Sequence, residues 1–344
     1  MAPLTPSPIR RRLLRGALAL TLLGVGAVTL APSCSLPKDE LETRLLALPK
    51  NSGWTAAPGE RFDVSLEHDG ETVTATARAL RLEPAANDPS AAARPTIVLV
   101  HGTPGSYFSW ADLVFGDGAL AGHAPLVLLD MVGHGITDAD ADDVTFQLCA
   151  DWIVAALEAL DLRDVVLVGH SYGGEFAWRA ALDAPDRVSR LVLSSSAGYT
   201  RADDQWLPEE EAMREMALAN IGWWFNSEDR VEVALQPHFG DDVTGTDRLA
   251  EMTAVLDNAD NWHAMVDLAR DENGDRSAEI SSVGQPTLLL WGADDVAYTV
   301  EGWARRFAED IPDATLVPLD GAGHYPAEEQ PAAYAEALLA WIDA

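Results

Sequence analysis

A chain of 344 residues with 48% apolar content can bury one large core and carry an insertion without dividing into two independent domains. Its 55 aspartates and glutamates against 23 basic residues leave a net charge of −32. That excludes nucleic acid as a partner, because phosphate contacts need basic side chains, and it disfavours highly anionic substrates while describing a solvated acidic surface. The two cysteines, Cys34 and Cys149, form no disulfide framework, and neither stands in a reactive pattern.

The first 33 residues stand apart from the fold. Arg10, Arg11, Arg12 and Arg15 precede an apolar stretch over 17–30 and small residues at Ala31 and Ser33, which is the make-up of an export signal. The arginine pair followed by Leu13, Leu14 and Arg15 resembles a twin-arginine signal. Cleavage after Ser33 would place Cys34 at the new N-terminus, as in a lipoprotein, although Ala31 and Pro32 depart from that pattern. Lipid anchoring at Cys34 and free secretion both stay open, and either means an exported protein.

Residues 34–60 read as a lead-in with a short helix over 40–48. Strands over 61–66 and 72–80 alternate around a turn at Asp69 and Gly70, a hairpin at a sheet edge. An alanine- and proline-rich loop over 84–95 leads to a strand buried on both faces at 96–100. The same apolar run recurs at 126–129 and 165–168, separated by a helix over 146–160 that Thr145 caps. A helix over 175–182 and a strand over 190–193 follow. Residues 197–284 form an insertion with helical periodicity over 209–225, 246–256 and 261–269. The chain closes with a strand at 287–291, a helix at 301–308, a strand at 315–317 and a helix at 328–342. Apolar strands alternating with helices specify an α/β fold: a mostly parallel sheet with helices on both faces and ligands at the carboxyl ends of the strands.

Chemistry concentrates at the third of the buried strands. The run ending in Gly169-x-Ser171-x-Gly173 reads as strand, sharp turn and helix, a nucleophile elbow that holds Ser171 above the sheet edge. Its base and orienting acid must come from the ends of other strands. His324 follows the last strand in a glycine-rich loop and can reach across to Ser171. His101 and His134 belong to turns, His170 points away from its neighbour, His238 and His263 lie in the insertion, and His68 and His123 are placed on the surface. For the acid, Asp294 and Asp295 both follow Gly292, giving the chain order serine, acid, histidine. The strand over 190–193 ends in Ser194, Ser195 and Ser196 and offers no carboxylate. The turn from His101 to Gly105 can aim the Thr103 N–H at the point Ser171 attacks, with the Tyr172 N–H as second oxyanion donor.

With these pieces located, residues 61–344 resemble the α/β-hydrolase superfamily: a first core part over 61–196, a helical cap over 197–284 and a second core part over 285–344. The resemblance implies that Asp295, fourth in Gly292-x-x-Asp295, is the acid, that His324 is the catalytic histidine, and that Asp130 with Gly133, His134 and Gly135 forms a structural turn. The pattern running from His101 through Pro104 and Ser106 to Trp110 is similar to the epoxide hydrolase and haloalkane dehalogenase branch, and partly to proline iminopeptidases. Those first two use an aspartate nucleophile, whereas here Ser171 precedes Tyr172. Attack at an sp3 carbon by serine would end in an unactivated ether, while acyl transfer gives an ester that water can cleave. Carboxylic esters are therefore the expected small-molecule substrates, with amide hydrolysis of the iminopeptidase or another type, or epoxide hydrolase-like activity, as the alternatives, and a non-catalytic binding protein as the reading outside enzymes. Trp110, Trp223, Trp224 and Trp262 are expected to line an apolar substrate pocket. No cofactor and no metal is expected, since neither a dinucleotide loop nor metal-ligand spacing is present.

Overall fold

A computed structural model describes residues 35–56, 59–117, 120–141, 143–201, 228–271 and 276–344. The strands are β1 (Glu60–His68), β2 (Glu71–Leu82), β3 (Ile97–Val100), β4 (Leu126–Leu129), β5 (Asp138–Ala139), β6 (Val165–His170), β7 (Val188–Ser194), β8 (Thr287–Gly292) and β9 (Ala314–Leu319). They lie in the order β1-β2-β4-β3-β6-β7-β8-β9, with β5 paired to β2. From β4 to β9 every pairing is parallel, while the hairpin β1-β2 joins antiparallel at one edge, as its alternation requires. Asp69 at φ 51° and Gly70 at φ 82° make its turn, two residues in left-handed backbone that follows the twist of the strands.

Because side chains alternate along a strand, each buried run feeds two cores. Val98, Val100, Leu167, Leu191, Leu193 and Trp291 face the helices Phe146–Ala159 and Tyr172–Asp183. Ile97, Leu99, Val166, Val168, Leu288 and Leu290 face the other way, onto the lead-in and the C-terminal helix. Fully burying each such side chain is worth roughly 1.5–3 kcal/mol, so a slip of one residue in any of these strands would exchange the two faces at prohibitive cost. Thr145 caps its helix as expected, its hydroxyl accepting from the Leu148 N–H at 3.0 Å. Cys149 is buried in that helix, and burial pushes its thiol well above the ordinary range, where it is inert.

Two expectations need correction. The final helix is broken into Pro326–Glu329 and Pro331–Ile342, because Pro331 offers no N–H and drives Gln330 out of the helical region, to φ −133° and ψ 55°. His68 is not a free surface residue: its ring is 2.8 Å from the Asp151 carboxylate and its side chain is 13% exposed. The lead-in packs into the core. Leu41 and Leu45, on the helix Lys38–Ala47, are fully buried, and Trp54 meets Tyr107, Phe108 and Phe115 edge-on at 5.2, 5.4 and 4.8 Å.

Between β7 and β8 the helices Glu228–Leu235, Asp247–Leu256 and Ala259–Asp271 bury their own small cluster, including Val231, Leu249, Met252, Leu256 and Trp262. The lead-in is fastened to this unit. The Leu36 N–H donates to the Asp257 carbonyl (3.0 Å), Asn258 Nδ2 donates to the Leu36 carbonyl (2.7 Å), and Lys38 Nζ donates to Asn261 Oδ1 (2.8 Å). The expected helix over 209–225, with Trp223 and Trp224, lies outside the described residues, as do residues 1–34.

Candidate active site

At the end of β6 the chain must reverse into a helix within one residue. Ser171 does this at φ 54° and ψ −125°, a conformation costing on the order of 1–3 kcal/mol for a side-chain-bearing residue. The surroundings hold it there: its N–H donates to the Ser194 carbonyl, and its own carbonyl accepts from Gly174 and Ala197, all at 3.0 Å. The flanking glycines are a steric requirement. A Cβ at Gly169 would lie 2.2 Å from the Gly173 carbonyl oxygen, and one at Gly173 would lie 2.3 Å from that of His101. The motif thus records how closely β6, its helix and the loop after β3 approach one another.

His324 reaches Ser171 from the loop after β9. Its backbone N–H donates to the His238 carbonyl at 2.7 Å, and its Nε2 stands 3.0 Å from Ser171 Oγ. On the other side of the ring, Nδ1 is 2.9 Å from Asp295 Oδ2. The second oxygen, Oδ1, accepts from the N–H groups of Ala297 (2.8 Å) and Tyr298 (3.0 Å), so the carboxylate is clamped from both ends. Asp294 is exposed and contributes a backbone N–H to the Ala322 carbonyl at 2.9 Å. Of the two aspartates the sequence left open, Asp295 therefore holds the imidazole. An Nδ1–H donated to that carboxylate leaves Nε2 as the acceptor for the serine hydroxyl. All three side chains are buried, Ser171 at 7%, His324 at 5% and Asp295 at 4% exposure.

Three other histidines crowd the site without competing for the role. The His101 Nδ1–H donates to the Gly102 carbonyl at 2.7 Å while Nε2 accepts from the Met131 N–H. The His134 Nδ1–H donates to the Val132 carbonyl, and its Nε2 accepts from the Thr103 hydroxyl at 2.8 Å. The His170 Nε2–H donates to the backbone carbonyl of His324 at 2.7 Å, turned from Ser171 as expected. Burial lowers His101 to about 4, His134 to about 3 and His170 well below the usual range, so all three stay neutral and serve as braces. They fix the turn carrying Gly102 and Thr103, where a Cβ on Gly102 would come within 2.8 Å of Ser171 Cβ. Tyr172 opens the helix Tyr172–Asp183, its backbone next to the serine.

One constellation escaped the sequence reading. Arg248 and Glu251 on a helix of the insertion, Lys50 from the lead-in and Glu328 from the short helix after His324 converge in a buried cluster. Lys50 Nζ lies 2.5 Å from Glu251 and 3.8 Å from Glu328, while Arg248 lies 3.5 and 3.3 Å from the same two carboxylates. The Ser109 hydroxyl donates to Glu251 at 3.0 Å, and the Arg248 guanidinium sits 4.5 Å over the Tyr325 ring. Burial, with the nearby Glu251 and Asp112 charges adding to it, raises Glu328 to about 7 despite Arg248 and Lys50, whereas for Glu251 the neighbouring Lys50 and Arg248 outweigh burial and hold it below the ordinary carboxylate range. Lys50 and Glu251 are 201 positions apart, by subtraction of their numbers, so only the tertiary fold makes them neighbours. One hint was available: Lys38 and Lys50 are the only lysines in the sequence.

Two adjoining cavities, which share Ser109, His170 and Tyr325, form a cleft beside the serine: one is lined by Thr103, Pro104, Ser171 and Arg248, the other by Trp110, Ala327 and Glu328. Trp110, expected to line a substrate pocket, lines this cleft beside His170. Trp262 does not line that cleft and packs into the cluster of the insertion, while Trp223 and Trp224 fall outside the described residues. Among the described residues no group of three histidines, cysteines or carboxylates is arranged to hold a metal ion.

Known proteins resemble the chain in sequence and in fold. The chain is 27% identical over 251 residues to the uncharacterized hydrolase YugF of Bacillus subtilis, covering 72% of this chain and 90% of that one. It is 28% identical over 210 residues to 2-hydroxy-6-oxononadienedioate/2-hydroxy-6-oxononatrienedioate hydrolase of Paraburkholderia xenovorans, covering 58% and 70%. A thermophilic esterase from Thermogutta terrifontis superposes with a TM-score of 0.67 at 19% identity, over 83% of this chain and 98% of the other, a likeness of fold. The family model for alpha/beta hydrolases matches residues 97–337, which span β3 to the C-terminal helix and include Ser171, Asp295 and His324. With its sheet order, its elbow and this match, the chain belongs to the alpha/beta hydrolase family.

Proposed function

We propose that this hydrolase is a serine esterase that cleaves small carboxylic esters through an acyl-enzyme. The observation that carries the reading is the continuous chain Asp295 Oδ2, His324 Nδ1, His324 Nε2 and Ser171 Oγ, at 2.9 and 3.0 Å. His324 takes the serine proton as Oγ attacks the ester carbonyl, and returns it to the departing alkoxide. Asp295 holds the ring in the productive tautomer and stabilises the imidazolium that forms. The oxyanion is met by the N–H groups of Thr103 and Tyr172, each donor being worth roughly 3–4 kcal/mol in the transition state. Water activated by the same histidine then releases the acid. A serine nucleophile favours this chemistry over epoxide opening or halide displacement, because only the acyl intermediate has a hydrolytic exit.

We place the mature protein outside the cytoplasm, on the strength of the arginines and apolar run within residues 1–33. A panel of p-nitrophenyl esters, with proline p-nitroanilide and an epoxide alongside, tests the reaction class. Turnover of the esters that disappears in Ser171→Ala is the expected result. Faster turnover of the anilide would move the assignment to amide hydrolysis, and ester cleavage surviving in the purified variant would remove Ser171 from the mechanism.

A further inference from the structure

The cleft beside Ser171 ends in polar atoms that the ester mechanism does not use. Trp110 is 2% exposed, yet its indole N–H has no hydrogen-bond partner among the described residues. Glu328 Oε2 and Arg248 Nε are likewise buried without one, on side chains each 8% exposed. All three residues line the cleft. A buried polar group left unpaired costs roughly 1–3 kcal/mol, and native folds keep such groups few. Three along one cleft that opens onto Ser171 are hard to explain as core packing.

The rest of the cluster is already committed. Arg248 Nη1 reaches Glu251, Glu328 and Ser109, the guanidinium also meets the Tyr325 side chain, and Lys50 lies against Glu251 and 3.8 Å from Glu328 Oε2, so the guanidinium is held rigidly with Nε left over. An indole N–H and a guanidinium Nε–H can only donate, so what satisfies them is an oxygen. A hydroxyl oxygen also supplies the donor that an ionised Glu328 requires, and a keto oxygen suits its protonated form. An alkyl chain satisfies none of the three. Lys50 and Arg248 face Glu251 and Glu328, with Asp112 close to the same cations, so their charges offset and the site offers no surplus positive charge for a carboxylate.

Building on the serine esterase reading, we propose that the part of the cleft lined by Trp110 and Glu328 is a polar subsite that selects esters whose acyl chain carries an uncharged oxygen, as in hydroxyacyl and oxoacyl esters, with Trp110 and Glu328 as specificity-determining residues. In the acyl-enzyme the acid half is bonded to Ser171, and its chain runs into the cleft that adjoins the serine. Trp110 Nε1 meets the substrate oxygen from one wall, and the Glu328 carboxyl completes its hydrogen bonding.

The test uses the full-length protein and matched p-nitrophenyl esters: butyrate against 3-hydroxybutyrate, pentanoate against 4-oxopentanoate, hexanoate against 5-oxohexanoate, and a glutarate monoester as the charged arm. At least one uncharged oxygen-bearing ester should exceed its hydrocarbon partner about tenfold in kcat/KM, the worth of one well-made buried hydrogen bond. Trp110→Phe, which keeps a ring and removes the N–H, should bring that ratio close to one. Should Trp110→Phe fail to fold, competitive inhibition of the wild-type enzyme by 4-oxopentanamide against pentanamide reads the same preference. Hydrocarbon esters turned over as well as all their oxygen-bearing partners, a preference for the glutarate monoester alone, or a ratio untouched by Trp110→Phe would each overturn the subsite. Those outcomes leave the esterase intact, whereas ester turnover that persists in Ser171→Ala strikes the underlying reading instead.

Discussion

Ser171, His324 and Asp295 act as a unit, and their substitution should show it. Ser171→Ala and His324→Ala should each lower ester turnover about a million-fold, with the double variant hardly worse, because neither residue contributes without the other. Circular dichroism and thermal unfolding should find both variants folded. Asp295→Asn should cost up to about ten-thousand-fold by losing the carboxylate that orients the ring. Asp294→Asn, altering an exposed side chain, should stay within a few-fold, and kcat measurements on the pair decide between neighbours. The elbow itself was legible from Gly169, Ser171 and Gly173, since backbone crowding forces those residue types. The choice of Asp295 rested on resemblance until the geometry placed its two oxygens on His324, Ala297 and Tyr298.

Among elements, the lead-in and the helix Asp247–Leu256 depend on each other through Lys50. The Lys50 ammonium neutralises Glu251, whose side chain is 1% exposed. Lys50→Met should strand that carboxylate and destabilise the protein by about 3–5 kcal/mol, the usual result of removing one partner of a buried pair. Chemical denaturation should show most of that loss recovered when Glu251→Gln is added, because the charge left behind is then gone. Two helices of the insertion, Asp247–Leu256 and Ala259–Asp271, were legible by periodicity, Thr246 capping the first of them through the Leu249 N–H at 3.3 Å, whereas Glu228–Leu235 was not read. The anchoring of the lead-in was not, because Leu41 and Leu45 look like any short amphipathic turn until their partners are known. Pro331 could have been read as the break in the last helix, since a proline within a helical pattern ends the helix before it.

Over the whole molecule, two buried carboxyls give stability a pH dependence of definite sign. Burial raises both Glu328 and Asp130 to about 7. A carboxyl raised in the folded state binds its proton more tightly there than in the unfolded chain. Its contribution is therefore full below the unfolded pKa of about 4 and is lost as pH rises through about 7. Glu328→Gln should flatten the change in Tm between pH 5 and pH 7 relative to the parent, and an unchanged slope would assign that dependence to other groups. Export is a second property at this scale. Mass analysis of protein purified from its native host should find residues 1–33 absent, with Cys34 either unmodified or carrying a diacylglyceryl group, and an intact Met1 would reject both routes.

By itself the sequence determined what depends on local physics: apolar runs of the length and composition of buried strands, a hairpin turn at Asp69 and Gly70, a Thr145 cap, and a serine on a turn that only glycines can flank. It also named the small set of histidines and aspartates from which the site is drawn, because those groups must leave the carboxyl ends of strands. Only the tertiary structure decided which of them meet. The approach of His324 to Ser171 across 153 positions and of Lys50 to Glu251 is set by sheet order and helix packing. Neither leaves a periodic trace in the chain. The neutral braces His101, His134 and His170 belong to the same class, since an imidazole's role follows from the burial and the partners of its two nitrogens. Both are properties of the folded surroundings.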